Sequence, residues 1–143
     1  MKTSTWLDED FAAGDLVVAR VLNSLENRDS RGKARPVVLV EEVDGHWRVA
    51  GLTTNPRRRD GSLRLRVPNP ILVGLRGPGF LWGNRLHSVC KLDLDFRIGV
   101  ADQQLARLIV SSHPMSSSAR LGLLAAAGCQ PDAAEEGGPS PAA

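Results

Sequence analysis

A chain of 143 residues, 42% hydrophobic and 24% charged, is long enough for one domain with a core of its own and needs no disulfides to hold it. No apolar run approaches the roughly 18 residues of a membrane span, and the polar N-terminus lacks a signal-peptide pattern, so a soluble cytoplasmic protein is expected. The net charge of +2 hides an uneven distribution: Asp132, Glu135 and Glu136 load the C-terminal end, and the arginines cluster elsewhere.

Residues 1–11 read as an N-terminal arm, loose or briefly helical. Ala13-Gly14-Asp15 is a turn that opens a strand over 15–22. A polar loop, 23–35, carries Arg28, Arg31, Lys33 and Arg35, and 36–43 is the second strand. Asp44-Gly45 between apolar runs is a strong hairpin signal, with the return strand running from His46 to Leu52 and ending in Thr53 and Thr54. Pro56 stops it, and Arg57, Arg58 and Arg59 then lead into an Asp60-Gly61 turn.

Leu63, Leu65 and Val67 alternate with Arg64 and Arg66, which predicts a half-buried strand with an arginine face. Residues 74–79 form a Gly/Pro loop, and a strand is expected from Phe80 to Leu86 or beyond. Leu105, Leu108 and Ile109 recur at helical spacing, with Asp102 where the helix dipole favours it, so a helix should run from there to just before Pro114. A second short helix is expected within 114–127, and 128–143 is Ala/Gly/Pro/Glu low complexity expected to be disordered. Cys90 reads as a buried free thiol and Cys129 as part of the tail's approach; neither their number nor their spacing suits a metal site. Several short strands with tight turns and a late helix predict a mainly β fold, a small barrel-like sheet.

The chemistry concentrates at Arg35. Proline at 36 disfavours helix for the residue before it, so Arg35 should be extended and its guanidinium held by a strand. A fixed guanidinium with nearby threonine hydroxyls suits phosphate, whose oxygens match the forked donors. The basic stretches 28–35 and 57–66 flank that pair in sequence and would form a channel for a polyanion if they also flank it in space. The competing reading makes Arg57 to Arg59 a solvated hairpin tip.

The order of these features resembles the PemK/MazF family of toxin endoribonucleases from bacterial toxin–antitoxin pairs. It rests on Gly14-Asp15 before an apolar strand, Arg35-Pro36 before the second core strand, threonines ending the third, and Ile98-Gly99 before the late helix. The resemblance spans residues 12–113 and implies an SH3-like, PemK-like barrel with a C-terminal helix. It implies a catalytic Arg35 and Thr53, with Thr54 as the alternative hydroxyl; RNA is then the polyanion that the basic stretches, with Arg28, Arg31, Lys33, Arg57, Arg58, Arg59, Arg64 and Arg66, are expected to bind.

The implied reaction uses no cofactor or metal: the 2′-hydroxyl of single-stranded RNA attacks the adjacent phosphorus, leaving 2′,3′-cyclic phosphate and 5′-hydroxyl ends. A cognate antitoxin and a symmetric homodimer are the implied partners. The dimer would use either the late helix's apolar stripe, if that does not pack on its own sheet, or Phe80 to Trp82.

One stretch departs from the family. Where many members have an acidic residue, Gln, an apolar residue, Arg and Thr, this chain has Asn84-Arg85-Leu86-His87-Ser88. Asn84 accepts no proton at neutral pH and becomes a candidate RNA contact; His87, a residue type whose unperturbed imidazole titrates near pH 6.5, either takes over acid–base work or marks a weakened or differently specific enzyme. Two other readings stay open: a catalytically inactive, RNA-binding or regulatory relative, and a toxin-like protein acting on a protein target such as a topoisomerase.

Overall fold

The computed structural model describes residues 11–21 and 33–129. The N-terminal arm over residues 1–10, most of the 23–35 loop with Arg28 and Arg31, and the tail from 130 onward lie outside the described residues.

Among the described residues, six antiparallel strands precede two α-helices. They are β1 (Asp15–Val21), β2 (Lys33–Val43), β3 (His46–Thr53), β4 (Phe80–Leu81), β5 (His87–Cys90) and β6 (Leu94–Val100), followed by α1 (Gln103–Ser112) and α2 (Ser117–Ala126). The order across the sheet is β4-β3-β2-β1-β6, and β5 takes the other half of the β3 edge that β4 uses. The β2–β3 turn is Asp44-Gly45, both at positive φ (49° and 81°), the pair of left-handed residues that a tight hairpin turn demands.

Alternation along the strands divides the buried residues into two clusters. Val17, Ala19, Val37, Leu39, Trp47, Val49, Val89 and Leu94 fill one face, and the described residues packed there come from strands and Phe11 alone. The sheet therefore curls over its own concave face. Among the described residues no ladder joins β6 to β4 or β5, so the barrel stays open. Leu16, Val38, Val40, Ala50 and Leu52 point the other way, and α1 and α2 cover them through Leu105, Ile109, Ala119 and Leu123. Each fully buried Leu or Ile there contributes about 1.5–3 kcal/mol. The apolar stripe of α1 is thus spent on its own sheet.

Both helices start on capping side chains. Asp102 accepts from the N–H of Leu105 (2.9 Å), and Ser116 from that of Ala119 (3.1 Å). Asn69 donates to Asp102 as well (2.8 Å), which ties the 68–79 segment to the start of α1. That segment also lies directly on β6: a Cβ at Gly99 would sit 1.8 Å from the Val73 carbonyl oxygen, and one at Gly74 2.2 Å from that of Ile98. The Ile-Gly step is a place where two backbones touch. No helix among the described residues is long and apolar enough to cross a membrane.

Several sequence expectations need correction. Residues 63–67 do not form a strand with an arginine face. They make only isolated bridges, Leu63 and Leu65 are 63% and 43% exposed, and Arg64 is the half-buried residue. Its guanidinium turns inward because backbone carbonyls of Arg57 (2.6 Å) and Trp82 (3.1 Å) accept its N–H groups. The strand expected over Phe80 to Leu86 breaks after Leu81 and resumes at His87. Cys90 is only half-buried, whereas Cys129 is buried and its N–H bonds to the Leu124 carbonyl, so order extends past residue 128.

Candidate functional site

Pro36 creates the site. The β2–β3 ladder ends at Val37 paired with Gly51, next to a residue that has no N–H to donate. Beyond that point β2 stays paired with β1, Arg35 lying opposite Ala19, while β3 pairs instead with β4. The strands part, and a cavity of about 520 Å³ opens between them. Arg35 and Pro36 line it from β2, and Thr53 and Thr54 from the end of β3; Arg64 and Trp82 close it.

Parity explains why the functional groups converge. Arg35 shares the face of Val37 and Leu39, and Thr53 that of Val49 and Trp47, so both point toward the concave side. Gly51 lies between Val49 and Thr53 on that face, and Trp82 packs over it, its Cβ 3.5 Å from where a Cβ at Gly51 would stand, an ordinary contact distance. The backbone N–H of Trp82 donates to the Gly51 carbonyl (2.8 Å), which holds the main chain that carries the indole. Arg35 lies over this ring with its Cζ 5.5 Å from the centroid, within cation–π range. The guanidinium is therefore held over an aromatic face at the cavity's edge.

The hydroxyls are set by a turn. The N–H of Asn55 donates to Thr53 Oγ1 (3.2 Å), and that of Arg57 to Asn55 Oδ1 (3.0 Å). With one lone pair of Oγ1 so engaged, Thr53 has its O–H available to donate, no acceptor for it standing among the described residues. Arg64 ties the same turn to Trp82 through the carbonyl contacts described above.

His87 pairs with Val49 across β3 and β5, and its ring packs on Trp82 at 4.9 Å between centroids. It is not among the residues lining the cavity. Burial pushes its imidazole below the ordinary 6.5, and the charges of Arg85 and Arg35 push the same way, so it is neutral near pH 7. Among the described residues no carboxylate lines the cavity, and no three of His, Cys, Asp and Glu gather as a metal-binding group.

The structure thus brings Arg35, Thr53, Thr54 and Arg64 together and sets His87 one ring away. The arginine run is less engaged. Arg57 donates to the Gly61 carbonyl (2.8 Å) and Arg58 to the Leu63 carbonyl (3.4 Å), so both brace their own hairpin. Arg59 and Arg66 are exposed, as is Asn84 in the turn before β5. Lys33 is described for its backbone alone. Sequence reasoning missed Trp82 as a site residue. Its signal was faint: one of three tryptophans in the chain, flanked by Leu81 and Gly83.

Comparison with known proteins adds a likeness of overall shape. No family model matches the chain, and no curated protein does. Among solved structures it is similar to the Mycobacterium tuberculosis toxin MazF-mt6, at 21% identity over 80% of this chain and 92% of that one, with a TM-score of 0.44.

Proposed function

We propose that this chain is a metal-independent, sequence-selective endoribonuclease of the PemK/MazF type, acting on single-stranded RNA and restrained by a cognate antitoxin. The observation that carries this reading is the guanidinium of Arg35, held against Trp82 in the cavity that Thr53 and Thr54 also line. A phosphodiester seated there meets a planar cation on one side and hydroxyl donors on the other.

In the proposed reaction the 2′-oxygen forms a bond to phosphorus as the bond to the 5′-oxygen breaks. Negative charge grows on the non-bridging oxygens, where Arg35 and Thr53 stabilise it. His87, neutral because burial and neighbouring guanidinium groups disfavour its cation, takes the 2′-hydroxyl proton once RNA fills the space beside Trp82. The departing 5′-oxygen takes up a proton from water, and the proton that His87 then gives back neutralises the hydroxide left behind. A second copy of the chain would complete an RNA groove in this reading.

The test is incubation of a long single-stranded RNA with the protein in EDTA, followed by mapping of cut sites and end groups. Discrete cuts with 2′,3′-cyclic phosphate and 5′-hydroxyl ends support the reading; linear phosphate ends would sink it. A second reading, an RNA-binding relative without catalysis, is favoured by His87 standing outside the cavity lining. It predicts Arg35-dependent binding with no cuts.

A further inference from the structure

A second cavity, of about 490 Å³, meets the Arg35 cavity along a shared ridge of Pro36, Leu52, Thr53 and Thr54. Its character is different. The remaining walls are Val18, Leu75, Phe96 and Ile98 with the Gly77–Pro78 backbone, and the one ionisable lining side chain among the described residues, Arg76, is exposed at the rim. Alternation accounts for the contrast, because Pro36 and Leu52 share the face of Val38 and Ala50 and so stand opposite Arg35 and Thr53. A polar, cationic space and an apolar slot therefore adjoin across a single ridge.

From this juxtaposition we infer that the apolar slot receives a nucleobase, that of the nucleotide next to the phosphate held at Arg35. The inference rests on the endoribonuclease or RNA-binding reading and names what selects the sequence. Phe96 is 53% exposed on β6, opposite Val18, and supplies the aromatic surface on which a splayed base stacks. Among the described residues no hydrogen bond engages the backbone of Gly77, whose N–H and C=O can meet the polar edge of a base. Gly77 has nothing within 4 Å of where a Cβ would stand, so a planar ring can approach that backbone closely. Pro78 has no N–H, which gives the rim next to Gly77 an acceptor and no further donor. The ring enters over the threonine ridge, with its ribose and phosphate left on the cationic side. A nucleotide is divided the same way, one anionic end and one flat apolar end.

The experiment measures binding of short fluorescent 2′-O-methyl oligonucleotides, which resist cleavage, as homopolymers of each base and as an abasic version of the same length. Wild type should bind at least one homopolymer about tenfold or more tightly than the abasic strand, the size expected for a stacked base. Phe96→Ala should erase that discrimination, and Phe96→Trp should restore it, with circular dichroism showing both variants folded. Arg35→Ala should weaken homopolymer and abasic strands alike and keep their ratio.

If binding depends on Arg35 but Phe96→Ala leaves the base-to-abasic ratio intact, the slot assignment is overturned and the RNA reading stands. Absence of Arg35-dependent binding to any strand overturns both. A Phe96→Ala variant that loses a dimer mass in light scattering and keeps its base discrimination would assign the slot to a second copy of the chain, against the inference.

Discussion

At the scale of single residues, Arg35 is the side chain on which the proposal turns, and its environment sets what substitution should do. It is half-buried at a strand position where its neighbours are Pro36 and an indole face. Arg35→Ala should lower cleavage roughly 10²–10³-fold, the usual cost of losing one preorganised charge-stabilising group. The melting temperature should change little, because this side chain fills cavity wall and not core. Arg35→Lys should recover only part of the rate, since an ammonium is a point charge that does not fork around phosphate oxygens. Steady-state rates on a single mapped site, with melting curves for each variant, check both statements. Full activity in Arg35→Ala would remove the residue from the site.

At the scale of elements, the contact between Gly99 and the 68–79 segment is the most restrictive in the fold. Both partners are backbone: a methyl at Gly99 would lie 1.8 Å from the Val73 carbonyl oxygen, and no flexible side chain can move aside. Gly99→Ala should therefore cost about 3 kcal/mol, the upper part of the usual range for overpacking, and pull the 74–79 loop off β6. Chemical denaturation measures it; a loss under about 0.5 kcal/mol, ordinary for an uninvolved surface site, would mean the backbones separate freely. The sequence carried the Ile98-Gly99 step but not what presses on it. Its legible parts were those with local causes: the Asp44-Gly45 turn, the extended Arg35 before Pro36, and the α1 stripe capped at Asp102. Residues 63–67 misled because alternation reports burial only when a ladder holds the strand. Here carbonyls of Arg57 and Trp82 draw Arg64 inward and leave the leucines outside. Trp82 was illegible as a partner of Arg35 because it reaches that place by packing over Gly51, 31 positions away in the sequence.

At the scale of the whole molecule, two histidines make stability depend on pH in a definite direction. His113, just after α1, is 2% exposed, and its Nδ1 lies 2.9 Å from Ser112 Oγ, which itself donates to the Leu108 carbonyl (2.7 Å). That chain assigns the ring proton to Nδ1. A second proton would sit on Nε2, which is buried with no hydrogen-bond partner among the described residues. Burial accordingly pushes His113 below the ordinary 6.5, against a weaker pull from the Ile109 carbonyl, and His87 is pushed the same way by burial and by Arg85 and Arg35. The unfolded chain then binds more protons than the folded one just below pH 6.5, so stability is fully present above that value and falls with pH through the depressed folded values. Asp15 works in the opposite sense: burial raises its carboxyl, and acidification relieves that cost. The melting temperature should therefore drop on going from about pH 7 to about pH 5, where carboxylates of ordinary pKa barely titrate. In His113→Leu the drop should shrink, since the apolar side chain keeps the space filled and Ser112 keeps its bond to Leu108. His87→Gln should flatten it further, and should also lower the rate and remove the acid limb of cleavage, which His113→Leu should leave in place. Paired melting and rate profiles across that range separate the roles. An acid limb that shifts equally in both variants would show that it reports unfolding, and His87 would lose its place as the base.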